Sequence, residues 1–238
     1  MCGRFALSMV PALFQELFGV AAPEGYRTRW NITPDSAIAV VRVPPDAGRE
    51  AAMLRWGILG PWMKEADDRG RQINARAETA GQKPTFRDAY KKGRCLIPAD
   101  GFYEWQKAEG GHKQPWLVTG RDGAPLAFAG LWRRNRLTSG ELLDSCAILT
   151  MEAFPAIHPI HHRMPVMLDP ARWDDWLDPA FTEPPMIAEI LEPLPESELA
   201  FWEVGRAVGN PRNDGPELTR PLAELLPTPT GTAQGSLL

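Results

Sequence analysis

Cysteine at position 2 is the residue of this sequence with the most distinctive chemistry. The chain begins Met1-Cys2-Gly3-Arg4, and we expect aminopeptidases to remove Met1 because the second residue is small. The free α-amine then has a reference pKa of about 7.7–8.0 and the thiol one of about 8.5. Such a 1,2-aminothiol converts an aldehyde into an imine and then into a thiazolidine. Gly3 permits close backbone approach and Arg4 offers a planar fork to an anion, which favours this chemistry over an inert terminal cysteine.

Two further segments carry polar side chains in patterns that suit catalysis. Asn74, Arg76 and Glu78 occupy every second position of one run, so they share one face if the run is extended. In a helix, Asn74 and Glu78 would still be neighbours, and a solvated polar face is the alternative to a site. Glu104 lies within residues 102–105, Phe-Tyr-Glu-Trp, where packing against rings would remove water from its carboxylate, as suits a general acid or base. The alternative there is an exposed strand position.

Histidines form the third candidate cluster, because His158, His161 and His162 lie within five residues. A metal site is one interpretation. Two nearby prolines disfavour the regular helix that would align metal ligands, and no His-Glu-x-x-His pattern occurs. We therefore expect no metal, and favour an acid or base histidine beside an anion-binding Arg163.

A fold of short strands must bring these segments together. Strand-like runs lie at residues 37–43, 53–58, 94–98, 101–106, 116–119, 126–132, 145–150 and 165–168. Helical patterns lie at residues 8–18, with Ser8 as the expected N-cap, and at 84–92, 170–177 and 185–191. These patterns predict a single α+β domain over residues 1–226 with a strand-dominated core and peripheral helices. The Thr-, Pro- and Gly-rich residues 227–238 are expected to form a disordered tail.

Charge is divided unevenly along the 238 residues, whose net charge is −4. Residues 1–165 hold 22 basic and 17 acidic residues, whereas residues 166–238 hold 4 and 13. The basic first part, which contains the candidate residues, is therefore where a polyanion is expected. No apolar run approaches the roughly 20 residues that span a bilayer, and no signal peptide pattern opens the chain. Three widely spaced cysteines suit a reducing cytoplasm.

Seven short motifs, taken in order, resemble those of the SOS-response-associated peptidase (SRAP) family. Each motif alone is weak, but together they cover residues 2–222 and are highly specific. One departure is His162, where the family usually carries an acidic residue. The motifs are Met1–Phe5, Asn31-x-x-Pro34, Trp56-Gly57 with Pro61-x-x-Lys64, Asn74–Thr79, Arg94–Trp105, His161–Pro165 and Val208–Asn210.

The resemblance implies a barrel-like core and a role in the response to DNA damage. Members of the family bind single-stranded DNA and trap abasic sites, whose ring-opened sugar is an aldehyde, as a thiazolidine. By the same resemblance, Cys2 is the covalent nucleophile and Asn74 positions the opened sugar. Glu104 is the acid or base that also assists release of Met1, and His161 assists ring opening and reversal of the crosslink.

DNA contacts are also implied by the resemblance. It places three arginines against the DNA backbone, and three further residues are candidates for contact, among them an exposed tryptophan suited to stacking on bases. We expect single-stranded DNA as the partner, no cofactor, no metal and no membrane, and a monomeric cytoplasmic protein that joins the nucleoid when bound to DNA. The six candidate DNA-binding residues are Arg4, Asn31, Pro34, Trp62, Arg76 and Arg163.

Two other classes of function compete with this interpretation. Class II glutamine amidotransferases also begin Met-Cys-Gly, and there the Cys2 thiolate attacks an amide. A non-covalent binder of single-stranded DNA would use the same arginines and tryptophans without reacting with a lesion. A conventional protease is not expected beyond self-processing of Met1, because no peptide cleft with a familiar triad is indicated.

Overall fold

Strands form most of the regular structure. The computed structural model describes residues 2–66, 70–107 and 109–225, so the expected tail at 227–238 lies outside the described residues. The strands are β1 (Phe5–Leu7), β2 (Arg29–Ile32), β3 (Ala37–Arg42), β4 (Glu50–Trp56), β5 (Asn74–Arg76), β6 (Arg94–Ala99), β7 (Gly101–Lys107), β8 (Lys113–Gly120), β9 (Leu126–Arg136), β10 (Leu142–Glu152), β11 (Arg163–Pro165) and β12 (Leu199–Glu203). The α-helices are α1 (Pro11–Phe18), α2 (Ala77–Ala80), α3 (Arg87–Lys92), α4 (Trp173–Leu177), α5 (Pro184–Ile190) and α6 (Leu222–Leu225).

Five of the strands close into a barrel. β3 pairs with β4 and β6, β6 pairs with β9, and β9 pairs with β10, all antiparallel. The ring closes where β10 runs parallel to β4, with Ser145 opposite Arg55 and Cys146 opposite Trp56. Trp56 and Phe128 are fully buried in the main hydrophobic core. The predicted α+β fold with a strand-dominated, barrel-like core is confirmed, and the closed ring gives the short appended strands a rigid frame.

A second sheet, in the order β12-β8-β7-β1-β2, fixes the start of the chain against the barrel. β1 lies between β2 and β7 and is antiparallel to both, with Phe5 opposite Ile32 on one side and Phe102 on the other. The Phe5 ring meets the rings of Trp56 and Phe128 edge-on, with centroids 5.2 and 5.9 Å apart. These aromatic contacts hold the residues just before β1 at the barrel.

Strand β10 extends beyond the barrel and carries one short strand on each edge. β5 runs parallel to it with Asn74 opposite Ile148, and β11 runs antiparallel with Arg163 opposite Glu152. Thr150 is the register partner of one residue in β5 and of one in β11. The two short strands therefore lie on opposite edges of β10, which brings two motifs distant in sequence close together.

Helices cover the outside of the barrel. The Phe18 ring at the end of α1 stacks on that of Trp173, with centroids 5.0 Å apart. The expected N-cap at Ser8 is wrong, because α1 begins at Pro11, where the fixed φ of proline suits a first helical turn. The Ser8 N–H donates instead to the Asp100 carboxylate.

Two boundaries differ from expectation near the third candidate cluster. The strand expected at 165–168 is wrong in position, since β11 covers Arg163–Pro165 and Met167 and Leu168 form isolated bridges. The helix expected at 170–177 begins as a short 3₁₀ turn before α4. Across the described ranges, none of the helices combines the length and apolar character needed to cross a membrane.

Candidate active site

Cys2 is fully buried just before β1, and segments from both sheets hold it. The Tyr103 N–H in β7 donates to the Arg4 carbonyl at 2.9 Å, so residues 2–4 run alongside Glu104 in the neighbouring strand. From β5, the Asn74 Nδ2 donates to the Cys2 carbonyl at 2.8 Å. Residue 2 therefore lies where β1, β5 and β7 meet.

The Cys2 thiol is held in its protonated form. Burial raises the pKa of the thiol well above its usual range, and the negative charge of Glu104 raises it further. The Sγ atom lies 3.9 Å from the Arg4 carbonyl oxygen, which is the weak contact of a thiol donor. Because the thiolate is the nucleophilic form, reaction at Cys2 requires a neighbouring base.

Glu104 faces the site, whereas its neighbours in the chain face away. Side chains alternate along a strand, and Tyr103 and Trp105 pack in a separate apolar cluster on the other side of β7. Glu104 is only 4% exposed, so the alternative of an exposed strand position is wrong. Its negative charge affects the pKa of both Cys2 and His161. Glu104 is therefore the carboxylate that acts on the candidate nucleophile.

His161 reaches the cluster from the loop between β10 and β11. Its Nδ1 lies 2.9 Å from the Arg163 backbone nitrogen and 3.1 Å from the Arg163 carbonyl oxygen, so the backbone of Arg163 orients the ring. Burial lowers the pKa of His161, and the charge of Glu104 opposes that shift. The ring of His162 stacks on that of His161 with centroids 4.5 Å apart, and His162 is exposed. Burial therefore favours the neutral ring of His161 near pH 7.

Arg4 is oriented by amide oxygens and keeps its positive charge unmatched. Its Nη1 donates to the Asn31 Oδ1 and the Val208 carbonyl, both at 2.7 Å. The guanidinium carbon lies 5.7 Å from the centroid of the Trp105 ring. In the described part of the chain no carboxylate pairs with Arg4, so the charge is available to an anion.

Asn31 is fully buried and connects β2 to the segment that follows β12. Its Nδ2 faces the carbonyls of Val208, Asn210 and Asn213 at 3.2, 3.1 and 2.7 Å. The Asn31 N–H donates to the Asp214 carboxylate at 3.0 Å. The Asn31 side chain therefore has no surface for a ligand in this geometry, and its contact with Arg4 is its link to the site.

Arg76 and Arg163 differ in how their charges are matched. Arg76 is exposed at the end of β5, and it forms no ion pair among residues 2–66, 70–107 and 109–225. The Arg163 Nη1 and Nη2 donate to the two carboxylate oxygens of Glu78 at 2.7 and 2.9 Å, and the Arg163 side chain is only 11% exposed. Arg76 is thus open to an anion, whereas the charge of Arg163 is neutralised by Glu78.

Two predicted residues lie in loops rather than in the hydrogen-bonded cluster. Trp62 is 57% exposed in the loop after β4. The Asn135 Nδ2 holds that loop by donating to the carbonyls of Gly60 and Met63 at 3.0 and 3.2 Å. Pro34 lies half-buried in the turn after β2. Both side chains are therefore at least partly accessible to a large ligand.

Gln106, which the sequence patterns do not indicate, joins β7 to the loop that carries His161. Its Nε2 donates to the Pro159 carbonyl at 3.3 Å, and its Oε1 accepts from the Trp116 Nε1 at 3.1 Å. The signal available was spacing, since Gln106 follows Glu104 by two and so shares its face of the strand. His158 is exposed, and no three His, Cys, Asp or Glu side chains of the described residues converge as they would around a metal.

Comparison with known proteins identifies the family. A family profile described as SOS response associated peptidase (SRAP) matches residues 1–211. The chain belongs to the SRAP family. Abasic site processing protein YoqW of Bacillus subtilis is 34% identical over 221 residues, which cover 92% of this chain and 98% of that protein. Abasic site processing protein YedK of Escherichia coli is 30% identical over 230 residues, which cover 93% of this chain and all of that protein.

A further SRAP relative and two solved structures also match most of the chain. Abasic site processing protein HMCES of Gallus gallus is 31% identical over 267 residues, covering 93% of this chain and 78% of that protein. A crystal structure of a protein from Bordetella bronchiseptica, 32% identical, superposes with a TM-score of 0.75 over 86% of this chain and all of its own. One from Bacteroides thetaiotaomicron, 22% identical, gives a TM-score of 0.81 over 92% of this chain and 99% of its own, which shows the shared fold. All predicted site residues lie within the SRAP match.

Proposed function

We propose that this SRAP chain processes abasic sites in single-stranded DNA, as a DNA damage response, by forming a thiazolidine with Cys2. The observation that carries the proposal is the convergence of Asn74 and Glu104 on Cys2, with His161 beside Glu104, from three separate segments. A buried cysteine that follows the initiator methionine, with a carboxylate and a neutral histidine beside it, suits capture of an aldehyde. Relatives named abasic site processing proteins, in Bacillus, Escherichia and Gallus, support an abasic site as the source of that aldehyde.

The proposed reaction balances without an oxidant or a reductant. After Met1 leaves, the Cys2 amine adds to the C1′ aldehyde carbon, and loss of one water gives an imine. The Cys2 sulfur then bonds to C1′ while the thiol proton is passed to the imine nitrogen. The product is a five-membered thiazolidine, and one water is released in total.

Glu104 is the group that moves the protons of Cys2 in this proposal. Its negative charge raises the pKa of the Cys2 thiol. Because Glu104 is buried, its electrostatic interaction with a nearby proton is stronger than it would be in water. Release of Met1 would require the same group to activate a water, so we also assign autocatalytic removal of Met1 to Glu104. His161, kept neutral by burial, is assigned to assist the sugar oxygen that leaves during ring opening, as a neutral imidazole does at other developing oxyanions.

Asn74 is assigned two roles, which are to hold Cys2 in place and to bind the opened sugar. Its Nδ2 holds the Cys2 carbonyl at 2.8 Å. Its Oδ1 is buried and has no hydrogen-bond partner among the described residues, and a buried acceptor without a partner is costly. A hydroxyl of the ring-opened sugar would supply the missing donor.

The DNA backbone is assigned mainly to Arg4 and Arg76, whose charges are unmatched in the described chain. Asn31 contributes by orienting Arg4, and Pro34 and the exposed Trp62 offer stacking surface for bases. Arg163 was expected to face DNA as well, but its pairing with Glu78 leaves little net charge for a phosphate.

The decisive experiment uses an oligonucleotide with a single abasic site. Purified protein lacking Met1, as shown by mass spectrometry, is incubated with this oligonucleotide and with an undamaged control. We expect a denaturation-resistant product whose mass is the sum of the two components less one water. Cys2→Ser, which keeps the size of the side chain but lacks the thiol, should abolish the stable product.

Two results would reject the proposal. Equal binding to damaged and undamaged strands with no covalent product would favour a non-covalent DNA binder. Glutamine hydrolysis that needs Cys2 but no DNA would favour an amidotransferase-like enzyme.

A further inference from the structure

One carboxylate joins the two segments that carry Pro34 and Trp62. Asp35 follows Pro34 in the turn after β2, and its N–H donates to the Trp56 carbonyl at 2.9 Å. Trp56 is the last residue of β4, and the chain continues from it into residues 57–66, called the Trp62 loop below. The backbone of the turn is therefore fixed at the point where the Trp62 loop begins.

The Asp35 side chain reaches two arginines that flank the Trp62 loop. The Arg71 Nε and Nη2 donate to its two carboxylate oxygens at 2.5 and 2.6 Å, in a bidentate fork that restricts the plane of the guanidinium. The Arg55 Nη2 donates to the Asp35 Oδ1 at 3.3 Å, and the Arg55 Nη1 donates to the Ala66 carbonyl. The side chains of Arg71 and Arg55 are only 24% and 22% exposed, and a bidentate pair within a network is the kind of surface ion pair that restrains its partners. Hydrogen bonding by Arg71 lowers the pKa of the Asp35 carboxyl, so the carboxylate is charged at neutral pH.

The backbone at Asp35 and at Gly57 has the unusual conformations that this contact needs. Asp35 has a φ of 67°, a left-handed conformation that costs energy in a residue with a Cβ and persists where the surroundings enforce it. Gly57 has a φ of 145°, and a Cβ there would lie 3.2 Å from the Arg71 Cδ and 3.5 Å from the Asp35 Oδ1. The ion pair of Asp35 and Arg71 therefore packs on the backbone where β4 passes into the Trp62 loop.

We propose that Asp35 is a positioning residue that holds the Trp62 loop in a fixed position relative to the turn that carries Pro34. This inference rests on the proposed function, in which Pro34 and Trp62 offer stacking surface for bases. Asn135 holds the same loop from β9. A loop that is held before DNA arrives does not have to be ordered on binding, and that ordering would weaken affinity.

The test is a double-mutant cycle of Asp35→Asn and Trp62→Ala, measured as affinity for undamaged single-stranded DNA in a Cys2→Ser background. Asparagine keeps the size of the side chain and tolerates a positive φ, but it cannot form the charged fork. Asp46→Asn is the matched control, because Asp46 also has a positive φ, of 62°, is exposed, and forms no ion pair in the described ranges. The cycle compares the effect of Trp62→Ala in each background, so the loss of one negative charge cancels.

We expect Trp62→Ala to weaken binding roughly 10-fold in the background protein and in Asp46→Asn, as for one stacked base, but by less than about 3-fold in Asp35→Asn. Arg71→Lys keeps the positive charge and cannot form the fork. It should reduce the effect of Trp62→Ala in the same way, and it decides the question if Asp35→Asn does not fold.

Three results would overturn the inference. One is an equal loss on Trp62→Ala in folded Asp35→Asn and in Asp46→Asn. Another is tighter DNA binding by Asp35→Asn with that same loss, because Asp35 would then only mask the charges of Arg55 and Arg71. The third is no loss on Trp62→Ala in the background protein, since Trp62 would then not stack on bases. Failure of the unaltered protein to crosslink an abasic strand, with the cycle as expected, would instead reject the proposed reaction and leave this inference standing.

Discussion

At the scale of single residues, Glu104 acts on two neighbours in the same sense, since its charge favours the protonated form of each. Its negative charge raises the pKa of the Cys2 thiol and opposes the fall in the pKa of His161. The thiol is therefore inactive until its proton is taken, while the histidine is kept neutral by burial. The Glu104 carboxylate is suited to accept the proton of the Cys2 thiol. The group that disfavours the thiolate at rest is therefore also the one that can form it.

Replacing Glu104 by Gln tests both effects. The pKa of His161 should fall further, because the negative charge that favours the imidazolium is removed while burial remains. Crosslinking should slow by about 10²–10⁴-fold, the usual contribution of a positioned acid or base. NMR titration of His161 and timed denaturing gels measure the two quantities.

Glu203→Gln provides the control for that experiment. Glu203 is an exposed carboxylate on β12, in the same sheet as β7, and its replacement should change neither quantity. An unchanged His161 titration in Glu104→Gln would show that the carboxylate does not act on the histidine.

At the scale of elements, residues 208–214, which follow β12 and are called the strap below, lie against β2 and bond to it. Asn31 bonds three of its carbonyls, and the Asp214 carboxylate accepts from the backbone N–H groups of Trp30 and Asn31 at 2.6 and 3.0 Å. The Val208 carbonyl also accepts from Arg4. The Val-Gly-Asn motif at 208–210 therefore has a structural explanation, since it orients a cation at the candidate site.

Replacing Asn31 by Ala should loosen this strap. Several buried carbonyls lose their donor, and unsatisfied buried groups cost about 1–3 kcal/mol each, so we expect the free energy of unfolding to fall by about 2 kcal/mol or more. Amide exchange over residues 206–213 should accelerate, and DNA affinity should fall as Arg4 loses its orientation. Hydrogen-exchange mass spectrometry and denaturant unfolding check these expectations.

Asn135→Ala is the matched control for the strap. Asn135 is also buried and its Nδ2 also bridges two carbonyls, but it holds the Trp62 loop. The Asn135→Ala protein should have a lower free energy of unfolding, but its amide exchange over residues 206–213 should not accelerate. Weaker DNA binding by Asn31→Ala with unchanged exchange there would mean that Asn31 contacts DNA directly.

Sequence patterns predicted the elements whose length allows a period to appear. β3, β6, β7 and β9 fall close to the predicted runs because each has six or more residues and is largely buried and apolar. β1, β2, β5 and β12 have three to five residues each, too few for a period to be recognised. The run at 74–78 reads as either strand or helix because the chain changes from β5 to α2 within it.

The candidate site was predictable by residue type but not by partner. Cys2, Asn74, Glu104 and His161 were indicated by their chemistry and by the resemblance to the SRAP family. The link between Glu78 and Arg163 spans 85 positions, and only the pairing of β5 and β11 with β10 creates it. Local patterns contain no information about such tertiary contacts.

At the scale of the whole molecule, the uneven charge has a counterpart in the fold. The basic first part contains the barrel strands and all predicted catalytic residues, whereas the acidic excess lies in the later helices and loops. Acidic residues of α4 and the segment after α5 form ion pairs with arginines such as Arg49 and Arg172. The net charge of −4 therefore does not describe the surface that a polyanion would meet.

Salt dependence of DNA binding tests which cations form that surface. Binding of undamaged single strands is measured in a Cys2→Ser background, so that no covalent product contributes. Each phosphate contact adds about 0.7 to the slope of log affinity against log salt. We expect Arg76→Ala and Arg4→Ala each to reduce the slope by about that amount, because both charges are unmatched. Arg163→Ala should leave the slope nearly unchanged, since Glu78 already neutralises it.

Arg172→Ala, whose guanidinium is paired with Glu192 in the acidic part, is the control for a paired arginine and should behave like Arg163→Ala. A slope reduced equally by Arg163→Ala would show that phosphate displaces Glu78 in the complex. In that case the Glu78–Arg163 ion pair would open when the strand binds, close to the segment that carries His161. An unchanged slope would instead confine Arg163 to the orientation of His161 and leave Arg4 and Arg76 as the cations that hold the strand.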